Sequence, residues 1–192
     1  MSRPARIIVL FAHLDIRHSK INRAMVEAVR DLPRVDFVDL LETYPDFYID
    51  VPKEQARLLE ADLLVLQHPI YWYGMPAILK HWHDVVLTRG FAYGEDGTVL
   101  HGKQWMQAIS TGAPPEAYRP GGVHHYPLEL FLRPFEQTAR FCGMRYLRPF
   151  VLQGGRALED GVIAAHARRY RAFLEDYDPG QPSLPDEVSD HG

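Results

Sequence analysis

The chain has 192 residues, 46% of them apolar and 24% charged, the usage of a globular protein long enough to enclose one substantial core. A formal net charge of −4 and the absence of any Lys/Arg cluster exclude the electrostatic footprint that nucleic-acid binding needs. The lone Cys142 cannot close an internal disulfide and reads as a small core residue in a reducing compartment, and the six-residue apolar run before His13 is too short for a signal-peptide core or a membrane span. A cytoplasmic location follows as the expectation.

In chain order, the first β-branched, apolar run covers Arg6–Ala12, and the segment Ser19–Leu32 follows with Ile21, Met25, Val29 and Leu32 at helical spacing. That helix starts on a capping Ser and stops before Pro33. A weaker strand is predicted at Val35–Leu40, a helix at Lys53–Glu60, a strand at Asp62–His68 and a helix opening on a proline at Pro76–Leu87. The remaining elements are a strand at Gln104–Ser110, a helix at Tyr126–Phe141, a strand at Arg145–Leu152 and a helix at Glu159–Tyr177. Near-continuous apolar strands alternating with helices indicate a parallel sheet covered on both faces, here a five-stranded doubly wound sheet. Ligands of such sheets lie beyond the carboxyl ends of the strands, at the switch in strand order. Residues 1–177 are expected to form one domain, and Asp178–Gly192, rich in Pro, Ser, Asp and Gly, a mobile tail.

The loop after the first strand contains no glycine, and none occurs before Gly74, so the glycine-rich turn that cradles a dinucleotide pyrophosphate is missing. What the loop offers instead is His13, Ser19 and Asn22 where a strand feeds a helix, a place whose free N–H groups suit a monophosphate. Ser19 could equally do no more than cap its helix, and His13 no more than make a local hydrogen bond. After the third strand, Tyr71, Trp72 and Tyr73 stand in a row before Gly74. Aromatics at such a strand end are costly to expose unless they cover something flat and apolar, and an isoalloxazine ring is such a surface. Closing the core beneath the loop, or a subunit interface, is the competing account. The fourth strand ends in STGAPPEAYRPGGVHHYP, a long Gly/Pro-rich segment in which Ser110, Thr111 and Gly112 can face a ligand. Tyr118 and His124, six residues apart, supply a phenol and an imidazole able to hydrogen-bond developing negative charge, although loop residues of these types are commonly bystanders. His81 and His83 lie two apart on a helix and face different sides, so no metal site is assigned. Neither a nucleophile elbow nor a P-loop occurs.

Together these segments resemble the flavodoxin-like NAD(P)H:quinone oxidoreductase family, in particular its short bacterial branch, which includes ancillary proteins of glutathione-gated potassium-efflux systems. The resemblance spans about Arg6–Tyr177 and is carried by FAH with Ser19 and Asn22, YPDFYID, QHPIYWYGMPAILKHW, FAYG, STGA and RPFEQTARFCGM. It implies the strand order 2-1-3-4-5, an FMN cofactor, NAD(P)H as electron donor, a quinone-like acceptor in a two-electron ping-pong reaction, and a homodimer with the site at its interface. A regulatory role beside a membrane potassium-efflux transporter is the implied alternative. By the same resemblance, His13 with Ser19, Lys20, Ile21 and Asn22 forms the phosphate and ribityl loop. Pro69, Ile70, Tyr71, Trp72 and Tyr73 lie against the isoalloxazine, Ser110, Thr111, Gly112 and Ala113 meet its polar edge, and Tyr118 and His124 assist hydride transfer. FAD is less favoured, because the larger members bind it with extra chain that is missing here. Leu14 departs from the proline usual after the His, and Ala113 from a glycine, which would deny positive φ at that position.

Overall fold

A computed structural model describes residues 3–155 and 157–180. The remainder of the expected tail, 181–192, lies outside the described residues. At the centre are strands β1 (Ile7–Phe11), β2 (Val35–Asp39), β3 (Leu63–Pro69) and β4 (Gln104–Ser110), with the short β5 (Arg145–Tyr146) and β6 (Phe150–Leu152) both pairing with β4. All pairings are parallel and the order is β2-β1-β3-β4-β5. Every residue of β1, β3 and β4 is buried, whereas the edge strand β2 buries only Val38, as its weaker apolar pattern implies.

The fifth strand, expected as one run over Arg145–Leu152, is divided. Leu147, Arg148 and Pro149 stand opposite only Met106 and Gln107 of β4, so one extra residue bulges out where Pro149 has no N–H to give the ladder.

Helices α1 (Lys20–Val29) and α6 (Asp160–Asp176) cover one face, closing Met25, Val29, Tyr170 and Phe173 over Ile7, Val9, Val65 and Met106. The short α2 (Leu40–Thr43), with α3 (Val51–Glu60), α4 (Ala77–Val86) and part of α5 (Leu128–Phe141), covers the other over Ile8, Leu10, Leu64, Leu66 and Trp105. Caps set the helix starts: Ser19, Asp39 and Asp50 each accept a backbone N–H from the first turn of the helix that follows. The exit from α5 uses Gly143 at φ 68, where a Cβ would lie 2.1 Å from the His101 ring.

The face under α3 and α4 holds a buried carboxylate. Glu54 accepts from Tyr44 (2.7 Å), Trp82 Nε1 (3.0 Å) and Arg57 (2.8 Å), so the ion is paired and its lone pairs are occupied. Three histidines are also buried: His68 between the Pro69 carbonyl and the Gln107 amide (both 2.9 Å), His83 against Trp105, and His166 on Phe150 with ring centroids 4.2 Å apart. His81, by contrast, sits beside Phe47 at 6.3 Å, so the two histidines of α4 part as their spacing required.

Candidate functional site

Parallel strands send all their following loops to one edge of the sheet, and the predicted site segments are the loops after β1, β3 and β4. Backbone bonds knit that edge together. Ala12 N–H donates to Gln67 (3.1 Å), Ile70 N–H to Ser110 (2.9 Å), Thr111 N–H to Leu152 (3.1 Å) and Gly155 N–H to Thr111 (2.9 Å).

In the first loop, Ser19 caps α1, its Oγ accepting from Asn22 N–H at 3.3 Å and from Asn22 Nδ2 at 3.1 Å. Asn22 is fully buried, and the same Nδ2 donates to Ser110 Oγ at 2.7 Å, which ties the first loop to the end of β4. Its Oδ1 has no partner. The first intrahelical bond runs from Arg23 N–H to Ser19 O, so the Lys20 and Ile21 amides stand ahead of it at the positive end of a helix with no acidic residue in its first turn. Only these backbone groups of Lys20 and Ile21 face the loop's task. The Lys20 ammonium pairs with Asp160 at 2.9 Å, and the Ile21 side chain is core.

His13 Nδ1 accepts the Asp15 backbone N–H at 3.0 Å, which places the proton of the neutral ring on Nε2. That nitrogen lies 3.4 Å from the Tyr71 hydroxyl, so the first loop and the aromatic loop touch. Burial holds His13 below its ordinary pKa against the opposing pull of Asp15, and burial likewise raises the Tyr71 phenol.

The aromatic loop is a two-residue turn closed by reciprocal Tyr71–Gly74 hydrogen bonds of 3.0 Å. Trp72 (φ 48) and Tyr73 (φ 66) occupy its central positions, where Asn-Gly is the usual choice. Left-handed backbone at a bulky residue costs roughly 1–2 kcal/mol. Trp72 is 94% exposed, so neither core packing nor a local contact repays that strain, and the competing account in which the loop closes the core does not describe this residue.

Beyond β4, Ser110 and Thr111 are buried, Gly112 is exposed and Ala113 half-buried. Thr111 Oγ1 donates to the Ala113 carbonyl at 2.7 Å, and Gly154 N–H to the same carbonyl at 2.9 Å. Ala113 is not among the residues of positive φ, so the loss of glycine there leaves the turn intact. The loop folds back through a short 3₁₀ turn, Pro115–Ala117, and His124 N–H bonds the Ala117 carbonyl at 3.0 Å. This brings the Tyr118 and His124 rings to 4.4 Å between centroids, inclined by 31°. Burial raises the Tyr118 phenol, partly offset by a hydrogen bond with Thr111, and keeps it a donor.

Two groups were not legible beforehand. Phe131 of α5 supports Tyr73 (5.0 Å) and Tyr118 (6.2 Å), yet in sequence it is one more apolar residue of an amphipathic helix. The loop after β6 closes the Ser110–Ala113 segment through Gly154 and Gly155, for which the Gly-Gly pair after the fifth strand was the available signal. A cleft of about 620 Å³ opens elsewhere, between α3 and the amino ends of β1 and β2. Its arginines are spent on structure, Arg57 on Asp36 and Glu54, Arg34 on the carbonyls of Ala5, Glu175 and Tyr177, and Arg6 on Glu60.

Comparison with known proteins agrees with this fold. Residues 5–174 match the model of a family described by its flavodoxin-like fold. The chain is 44% identical over 175 residues, 91% of its own length and 95% of the relative's, to the glutathione-regulated potassium-efflux system ancillary protein KefG of Yersinia enterocolitica. Among solved structures it is similar to a thermophilic tryptophan halogenase from Streptomycin violaceusniger (42% identity, TM-score 0.84, covering 89% of this chain and 99% of that one). It is also similar to general stress protein 14 of Treponema denticola in complex with FMN (37%, 0.82, 88% and 98%) and to an NADPH-quinone reductase from P. pentosaceus (26%, 0.79, 90% and 99%). A doubly wound sheet in the order β2-β1-β3-β4-β5, with its loops gathered at one edge, thus coincides with a family match over nearly the whole chain, and the chain belongs to the flavodoxin-like fold family, close to the potassium-efflux ancillary proteins.

Proposed function

We propose that this chain binds FMN at the carboxyl edge of its sheet and serves as an ancillary subunit of a glutathione-regulated potassium-efflux transporter. The observation that carries the second half is the 44% identity to KefG, collinear over 95% of that protein. The first half rests on the edge itself. Unpaired amides at the start of α1 suit a phosphate, and the exposed, strained Trp72–Tyr73 turn suits a flat apolar ring. The Ser110–Ala113 loop, braced by its internal bonds and with Gly112 exposed, lies at the same edge to meet that ring's polar side. In this reading His13, Ser19, Lys20, Ile21 and Asn22 form the phosphate side, Lys20 and Ile21 through their backbone amides and Asn22 by bracing the loop. Pro69, Ile70, Tyr71, Trp72 and Tyr73 hold the ring, with Ser110, Thr111, Gly112 and Ala113 at its edge.

Co-expression with such a transporter tests the proposal. The chain is expected to co-purify with the membrane protein, to carry FMN identified by absorbance and mass, and to raise potassium efflux when added to transporter vesicles. Absence of both co-purification and stimulation would discard the ancillary role.

A second reading, NAD(P)H:quinone oxidoreduction, is favoured by the Tyr118–His124 contact in the loop after β4. When bound, FMN supplies two-electron hydride chemistry. The Tyr118 hydroxyl, kept protonated by burial, and the His124 imidazole would donate hydrogen bonds to negative charge developing on an acceptor oxygen. The aromatic floor of Tyr73 and Phe131 would keep water from beneath that oxygen. Anaerobic oxidation of NADPH against a quinone is the measurement, and Tyr118→Phe should slow it by about tenfold or more. A second copy of the chain completes the proposal by covering the exposed apolar loops at this edge.

A further inference from the structure

The oxidoreductase reading gives Tyr73 no role beyond forming a wall, yet its contacts are more specific than a wall requires. Its hydroxyl lies 3.4 Å from His124 Nδ1, and the two rings meet edge to face, with centroids 5.6 Å apart and planes inclined by 76°. The turn that carries Tyr73 is locked by the paired Tyr71–Gly74 hydrogen bonds, and Phe131 supports the ring from α5 at 5.0 Å. The Tyr73 hydroxyl therefore approaches His124 from a fixed direction. On another side His124 packs against Tyr118 at 4.4 Å. A phenol bears a proton to give, and a neutral imidazole has one nitrogen able to accept it.

We infer that Tyr73 is a positioning residue for His124: its hydroxyl donates to Nδ1, which holds the imidazole as the Nε2–H tautomer and fixes the ring against Tyr118. A 3.4 Å separation is longer than a formed O–H···N bond, and a small rotation of either ring closes it, as hydrogen bonds at such sites commonly tighten when ligand arrives. The role rests on the oxidoreductase reading, in which His124 presents Nε2–H to the acceptor. The same logic governs other functional histidines, whose useful nitrogen is set by the bond the opposite nitrogen makes.

Tyr73→Phe keeps the ring and its packing on Phe131 while removing only the hydroxyl. Long-range ¹H–¹⁵N spectra of the FMN-loaded protein at about pH 8, with His124 assigned by its loss in His124→Gln, read the tautomer directly. The expected result is an acceptor-type Nδ1 and a protonated Nε2 in the wild type, with the two shifts moving toward each other in Tyr73→Phe. Unchanged His124 shifts would overturn the inference whether or not the protein reduces a quinone. Kinetics supply the second readout: kcat for NADPH oxidation should fall by about tenfold with KM unchanged. A raised KM at constant kcat would instead make Tyr73 a binding wall and equally overturn the inference. If no acceptor is reduced while the tautomer shift appears, the positioning contact stands and the oxidoreductase reading falls.

Discussion

Trp72 is the residue at which local rules and the fold conflict most openly. A bulky side chain in left-handed backbone, nearly all of it in solvent, lowers stability without any compensating contact in the chain itself. Trp72→Asn, which tolerates that conformation and retains the turn, should stabilise the flavin-free protein by about 0.5–1 kcal/mol in urea denaturation and weaken FMN binding. Stabilisation with undiminished affinity would remove Trp72 from the cofactor wall. Sequence reading found this residue because three consecutive aromatics before a glycine are visible as a string, but it could not see that the glycine closes the turn while the aromatics occupy its strained centre. Asn22, expected in the phosphate loop, also braces that loop against the end of β4 through its buried side chain, a partner 88 positions away that no local pattern announces.

At the scale of elements, the burial of strands and helices has a chemical cost. Desolvation holds His83 down at about 3 and His166 at about 4, and lowers His68, all from an ordinary 6.5. For a group whose folded pKa lies below its unfolded one, stability is complete above the unfolded value and is lost as pH falls toward the folded value. Between pH 6.5 and 5 His83 and His166 should therefore each cost about 1–2 kcal/mol, read as a falling urea midpoint accompanied by proton uptake on unfolding. A midpoint flat over that range would show that these rings are not kept neutral. The elements themselves were largely legible, because β1, β3 and β4 are continuous apolar runs and α1 has a Ser cap with apolar residues at helical spacing. Division of the fifth strand was not, since its cause is a register against β4 that only the assembled sheet defines. The four-residue α2 was also missed, being short and capped by an Asp that belongs to β2.

For the whole molecule, the sheet sends to one edge a set of loops with exposed apolar side chains, Leu14 after β1, Trp72 after β3, and Val123 and Tyr126 after β4. The proposed second copy would bury them, so sedimentation should report a dimer, and Val123→Glu should shift it toward monomer while leaving the far-ultraviolet spectrum unchanged. A monomeric wild type at micromolar concentration would exclude that assembly. Among the described residues no helix is long and apolar enough to cross a membrane. The Asn22–Ser110 hydrogen bond carries a further consequence, one of timing. It joins residues 88 positions apart, so the first loop can reach its final shape only after the chain through β4 has emerged and docked. Uptake of the cofactor would then act as a late checkpoint in biogenesis, marking chains whose central sheet is complete.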